Sequence, residues 1–205
     1  MTAPPAPLHF YFDFISPFGY FASLRIEEIA ARHGRRVDWH AMLLGVSVLK
    51  VMGLKPLLDT PLKGDYIRRD ALRYMRRHGV QMQRKLDDPV MDPRAAGRAF
   101  HWVKQQHPEL AARLAHSIYH AYWAEGRDLS SAEALASIAL PDGLDSQRLQ
   151  EGINSPEASP WLRSAVDASL KAGIFGSPTV VIDGEPFWGV QTLELAEEWL
   201  ACGGW

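Results

Sequence analysis

Strand-forming sequence is confined to the two ends of this chain, and the long stretch between them is patterned for helix. Leu8 to Phe14 (LHFYFDF) is apolar, aromatic and free of Gly and Pro, which suits a buried strand better than a helix. Ser16-Pro17 then opens a helix, because Ser is a preferred N-cap and Pro is favoured at the first helical position. Phe18, Phe21, Ala22, Ile26, Ile29 and Ala30 give that helix an apolar stripe, and Gly34 is placed to end it. Val37, Trp39, Ala41 and Leu43 alternate with Asp38, His40 and Met42, so a second strand follows and the opening is a right-handed β-α-β unit. Strand signals return only at Thr179 to Ile182. Asp183-Gly184 is a tight-hairpin turn, with Phe187 and Trp188 in the returning strand. Pro186 removes a ladder donor there and marks an edge. A last helix runs from Thr192 to Ala201.

Between these ends, helices are expected after Asp92-Pro93 through Val103, from His107-Pro108, after a Ser130/Glu133 capping box, and from Ser159-Pro160 through Leu170 to a cap at Gly173. The order β-α-β, then α-β-β-α, is that of a thioredoxin fold. The expected class is therefore α/β: a discontinuous thioredoxin-like domain (residues 1–46 and 170–205) with an inserted all-helical domain (47–169).

Composition excludes several classes. With 205 residues, 22 Lys and Arg against 24 Asp and Glu, the chain lacks the basic excess of a general nucleic-acid binder. Cys202 is the only cysteine, so no internal disulfide can form. Met1 to Pro7 carries neither a basic residue nor a long apolar run, which argues against a leader or membrane span and for a cytoplasmic protein. His116 and His120 share a helix face, and His101 and His107 are near in sequence. Neither pair has a third ligand at a recognisable spacing, so no metal is expected. Lys63 to Lys85 holds eight Lys or Arg and two acids, which reads as a solvated helix face.

Ser16 sits where helix N–H groups lack intrahelical partners, a place that favours an anion. A thiolate is such an anion, and the Ser hydroxyl adds a donor that can point at sulfur. Since the chain has no cysteine here, that thiolate would belong to a bound molecule. An ordinary N-cap is the more frequent meaning of Ser-Pro alone. Ser177-Pro178, just before a strand, marks a turn; a cis peptide there would expose the Ser177 backbone.

Taken together, three ordered segments resemble the family of 2-hydroxychromene-2-carboxylate isomerases and kappa-class glutathione transferases. They are Phe12-Asp13-Phe14-Ile15-Ser16-Pro17-Phe18-Gly19-Tyr20, Pro61-Leu62-Lys63-Gly64-Asp65-Tyr66, and Gly173 to Thr179 followed by Asp183 to Gly189. These proteins have a DsbA-like fold with serine in place of the first redox cysteine. The resemblance implies that glutathione is the cofactor, with Ser16 stabilising its thiolate, Ser177 and a cis Pro178 pairing with its cysteinyl backbone, and Lys63 meeting its glycyl carboxylate. Trp188, Gly189, Val190 and Gln191 would lie at the γ-glutamyl end, and Lys50 would meet an acidic substrate. It also implies a homodimer acting on a small aromatic acid.

The chain departs from the family at three places, one being the asparagine that kappa-class members carry before Pro-Pro, which is absent from Gly53-Leu54-Lys55-Pro56. The family's Asp-Arg pair after the aromatic-glycine dipeptide is replaced by Val190-Gln191-Thr192, and polar substrate contacts of the isomerases fall on Leu57 and Leu58. The expected function is glutathione-dependent isomerisation of an aromatic 2-hydroxy or 2-oxo acid. A kappa-like transferase and a non-catalytic thiol-binding module on a degenerate thioredoxin scaffold are the alternatives.

Overall fold

A computed structural model describes residues 5–205; Met1 to Pro4, part of the stretch bearing on a leader, lie outside the described residues. Four strands form one sheet in the order β2-β1-β3-β4. Strand β1 (Leu8–Phe12) pairs in parallel with β2 (Val37–Ala41), and antiparallel with β3 (Thr179–Ile182), which pairs antiparallel with β4 (Glu185–Trp188). This is the thioredoxin arrangement, with Pro186 on the edge strand as its missing donor requires.

The register aligns Trp39, Phe10, Val180 and Phe187 in one row across all four strands, and all four are buried. Period-2 alternation in each strand puts them on one face, where Phe12 meets Phe100 edge-on at 5.3 Å and Phe187 meets Trp199 at 5.9 Å. Burying a phenylalanine this way stabilises the fold by about 1.5–3 kcal/mol. Asp183 (φ 52°) and Gly184 (φ 93°) both have the positive φ of a type I′ turn, and Arg35 grips the Asp183 carboxylate at 2.7 and 3.1 Å.

The N-terminal helix differs from expectation. It is two short helices, α1 (Pro17–Ser23) and α2 (Ile26–Arg32), although the apolar stripe runs through both. The Ser23 hydroxyl donates to the Tyr20 carbonyl at 2.6 Å, a back-bond that bends helices and leaves no mark in the apolar pattern. Strand β1 stops at Phe12 rather than Phe14, because Asp13 turns the chain: its carbonyl accepts from Ser16 N at 3.0 Å.

Among the described residues no strand lies between 47 and 169. The helices there are α3 (Lys63–His78), α4 (Pro93–Gln106), α5 (Ala111–Tyr119), α6 (Ala132–Ala136), α7 (Ser146–Ile153) and α8 (Ala158–Lys171); α9 (Leu193–Cys202) closes the chain. Helix α4 approaches α8 closely at Gly97, where a Cβ would sit 2.9 Å from Leu162 Cδ1. Ser131, not Ser130, caps α6, accepting from Ala134 N at 3.2 Å, while the Ser130 hydroxyl bonds Asp128 at 2.5 Å. Pro160 falls inside the first turn of α8, where its missing N–H has no helical partner to lose. In the basic run, Arg84 is not on a solvated face. It is buried, its guanidinium 4.1 Å from the centre of the Tyr122 ring and bonded to the Gly126 and Pro89 carbonyls.

Candidate active site

Ser16 is the N-cap of α1, with Pro17 in the first helical position. Its hydroxyl oxygen accepts from Gly19 N at 3.0 Å and donates to the Ser177 carbonyl at 3.0 Å. The Ser177-Pro178 peptide is cis, and the Pro178 carbonyl accepts from Gly189 N at 2.9 Å. The two sequence-distant serines that motif reading singled out are therefore in direct contact. Ser16 is buried and Ser177 half-buried.

Around this contact the packing is tight. A Cβ on Gly19 would lie 2.6 Å from Tyr119 Oη and 2.8 Å from Ser177 Oγ. Tyr119 donates to the Asp13 carbonyl at 3.0 Å, and Trp123 Nε1 donates to the Phe14 carbonyl at 2.9 Å. Side chains from the helical region thus pin the turn that presents Ser16. Helical periodicity marks both aromatics only as core.

Asp13 carries no role in the sequence pattern, where it is one residue inside the Phe12 to Tyr20 motif. It is fully buried beside Ser16. Its backbone N–H donates to Ser177 Oγ at 2.9 Å, while its carboxylate accepts from Leu44 N at 2.7 Å and Ile15 N at 3.2 Å. Burial raises its pKa to about 7, against the lowering effect of those backbone donors. Its signal was an acid inside the apolar run LHFYFDF.

Trp188 lies across the backbone of Gly176, where a Cβ would meet its Nε1 at 2.3 Å, and packs on Phe175 at 4.9 Å. Gly189 adopts φ 97°, a left-handed conformation that suits glycine. Val190 is buried, and Gln191 donates its amide to the Asp70 carboxylate on α3. Arg73, one turn along, donates to the other Asp70 oxygen at 2.5 Å. An acid and an arginine from α3 therefore stand beside the segment that carries neither. Lys63 is exposed at the start of the same helix and makes no ion pair among the described residues.

Lys50 lies apart from these groups, exposed in a π-helical turn (Gly45–Val51). It lines a cleft of about 550 Å³ with Leu43, Val46, Arg98 and Arg163, which Ser16 and Ser177 do not line. The Nε of Arg98 is buried there without a hydrogen-bond partner. Leu44, in sequence between the cleft-lining Leu43 and Val46, is the residue whose amide Asp13 holds, so one short segment connects the cleft to the buried Asp13 beside Ser16. The four histidines weighed as metal ligands are engaged separately: His101 Nε2 with the Ala41 carbonyl at 2.9 Å, His116 with Glu27 at 2.9 Å, His120 with Glu125 at 3.3 Å and His107 with Glu109 at 3.8 Å. Cys202 is exposed.

This arrangement can be set beside known proteins. A family model described as DSBA-like thioredoxin domain matches residues 7–201. A 2-hydroxychromene-2-carboxylate isomerase of Pseudomonas putida is 27% identical over 191 residues, covering 92% of this chain and 91% of the relative. The human protein named Glutathione S-transferase kappa 1 is 23% identical over 223 residues, covering 96% and 93%. A solved 2-hydroxychromene-2-carboxylate isomerase superposes with a TM-score of 0.75 at 24% identity, covering 96% of this chain and 94% of that one.

Proposed function

Since the chain belongs to the DSBA-like thioredoxin domain family, we propose that it is a glutathione-dependent isomerase of an aromatic 2-hydroxy or 2-oxo acid, with Ser16 stabilising the glutathione thiolate. The observation that carries this reading is the 3.0 Å bond from Ser16 Oγ to the Ser177 carbonyl. It brings the one hydroxyl suited to face a thiolate against the backbone suited to pair with a peptide.

The residues present fit the tripeptide. Glutathione has an ammonium and a carboxylate at its γ-glutamyl end, and Asp70 with Arg73 beside Gln191 offers complementary charges. When bound, glutathione supplies a thiolate that adds reversibly to a conjugated carbon, so that a double bond becomes rotatable. The protein's own part is positioning and charge stabilisation. Ser16 has one proton to donate, and it rests on Ser177 O; rotation about the C–O bond redirects it to a sulfur without moving the backbone. Helix α1 has only seven residues, so the positive end comes from the N–H groups of its first turn rather than from length. The neighbouring cleft is lined by Lys50, Arg94, Arg98 and Arg163 against Asp92 and Asp167, an excess of cations suited to a substrate carboxylate.

A kappa-like transferase uses the same thiolate and is supported by the human relative's name. The two separate on the fate of the thioether: an isomerase regenerates free glutathione, a transferase releases the conjugate. The exposed apolar run Leu49, Val51, Met52, Leu54 and Leu57 suits the homodimer face this reading includes. Calorimetric titration with glutathione tests the shared premise. Saturable binding is expected, and its absence would leave a binding scaffold of another kind.

A further inference from the structure

Two histidines and an aspartate converge on the half-exposed face of β1 and β2. The parallel register sets His9 beside Asp38, and period-2 alternation returns His40 to the same face. His9 Nδ1 lies 3.1 Å from His40 Nε2, Asp38 Oδ2 lies 2.9 Å from His40 Nε2, and the third edge, His9 Nδ1 to Asp38 Oδ2, is 3.6 Å. Ligand atoms held about 2.0–2.1 Å from a tetrahedral zinc ion stand about 3.3 Å from one another. The three atoms therefore make one face of such a tetrahedron.

We propose that His9, Asp38 and His40 form a divalent metal site of the zinc class. Two imidazoles and one carboxylate are a donor set for that class. The groups around them hold the ligands in place. Tyr11 stacks on the His40 ring at 4.6 Å, and Lys104 Nζ takes the other Asp38 oxygen at 2.6 Å and the Trp39 carbonyl at 2.6 Å. Lys104 thereby leaves Oδ2 as the carboxylate oxygen that faces the two imidazoles and fixes its direction, the outer-shell role that tunes metal sites. With side-chain exposures of 41%, 36% and 26% for His9, Asp38 and His40, the fourth position is open to water.

Without a metal, His40 Nε2 is shared between His9 Nδ1 at 3.1 Å and Asp38 Oδ2 at 2.9 Å, yet it carries at most one proton for the two contacts, and the third edge of 3.6 Å is not a hydrogen bond. The site is separate from the Ser16 turn: His9 is four residues along the strand from Asp13, about 13 Å at the usual rise. A metal there would tie β1 to β2 and stabilise the fold by mass action.

Isothermal titration of the chelator-treated full chain with Zn²⁺ tests this. One equivalent should bind and raise the unfolding temperature. His9→Ala and His40→Ala should each weaken binding more than the roughly 10- to 100-fold that outer-shell changes cost. Asp38→Asn, which keeps the side-chain shape, guards against a misfolded variant and should weaken it likewise. Cys202→Ser and His120→Ala should bind as the parent does. No one-to-one binding, binding that survives His9→Ala in a folded chain, or binding lost on Cys202→Ser would overturn the assignment.

Discussion

The Ser16 hydroxyl donates to the carbonyl of Ser177, 161 residues away, at 3.0 Å, and it also accepts from Gly19 N at 3.0 Å. One hydroxyl therefore ties the first helix to the last strand pair and caps that helix as well. Its proton can move to a sulfur only by leaving Ser177 O. The resting contact would thus compete with the proposed contact to a thiolate, and the two differ by a rotation about a single bond.

Ser16→Ala should impair chemistry far more than glutathione binding. On the proposed reading, binding would be spread over the tripeptide's backbone and carboxylates, whereas the hydroxyl would meet sulfur mainly when it is charged. A lost charge-assisted hydrogen bond is worth about 1.5–3 kcal/mol, roughly 10- to 150-fold in rate if felt only in the reactive state. The lost cap should also lower stability by about 1 kcal/mol. Thiolate absorbance against pH, in parent and variant, reads the bound thiol directly; an unchanged thiol pKa would reduce Ser16 to a helix cap.

Asp13 predicts an unusual stability profile. Burial raises its pKa in the folded chain to about 7, while in the unfolded chain it titrates at about 3.9. Its contribution is therefore fully present below pH ~4 and is lost as pH rises through ~7, up to roughly 4 kcal/mol in all. Asp13→Asn removes the titration but sets an NH2 against one of the two backbone N–H donors, Ile15 N or Leu44 N, so it should be less stable than the parent at low pH and, unlike the parent, lose no further stability toward neutrality. Urea midpoints across this range measure the difference. Parallel curves for the two proteins would mean that Asp13 is ionised throughout.

Gly19→Ala should be costly although alanine is the better helix former. Its Cβ would meet Tyr119 Oη at 2.6 Å and Ser177 Oγ at 2.8 Å, and both oxygens hold hydrogen bonds that fix the Asp13 turn. Such overpacking typically costs about 1–3 kcal/mol. Gly97→Ala, which meets only the flexible end of Leu162 at 2.9 Å, serves as the comparison and should cost less. Equal losses in chemical denaturation would remove the special place given to Gly19.

Much of this was legible because it is written in local pattern. The strand opening LHFYFDF, the Ser-Pro cap and the Asp183-Gly184 hairpin each depend on a few neighbouring residues, and each lies where its chemistry puts it, save that the strand ends at Phe12. The contact of Ser16 with Ser177 was readable through family motifs, since nothing local links residues that far apart. What stayed hidden depends on tertiary placement. The break after Ser23 comes from one hydroxyl's choice of acceptor. Asp13 looked like an acid at a strand end until burial showed what surrounds it. Asp70 and Arg73 carried no mark tying them to Gln191, because the helix that bears them is brought there by packing alone.

Asp70→Asn should weaken glutathione binding while leaving the fold intact. The substitution keeps the side-chain shape but removes the charge that faces Arg73 and would face an ammonium group. A charged hydrogen bond lost at this largely buried position corresponds to roughly 10-fold in affinity or more. Calorimetry with glutathione and with a des-γ-glutamyl analogue separates the roles. The variant should lose affinity for the first and little for the second, and equal losses would place Asp70 in the scaffold.

Lys50 and Arg98 should govern the acid substrate and not the thiol. A buried guanidinium N–H without a partner costs about 1–3 kcal/mol, which an incoming carboxylate would relieve. Arg98→Met removes both the penalty and the attraction, so the chain should be as stable as the parent or more so. Its KM for an aromatic acid should rise roughly 10-fold or more, with kcat changed much less, because the contact exists before and during reaction alike. Lys50→Met, at an exposed position of the same cleft, should act in the same direction more weakly, since its charge is already solvated. Glutathione affinity should stay constant in both, because neither residue lines the Ser16–Ser177 contact. If kcat falls with KM unchanged, these cations act on the reacting atoms. If glutathione affinity falls as KM for the acid rises, the cleft and the serine pair act as one site, coupled through the segment at Leu44 that Asp13 holds.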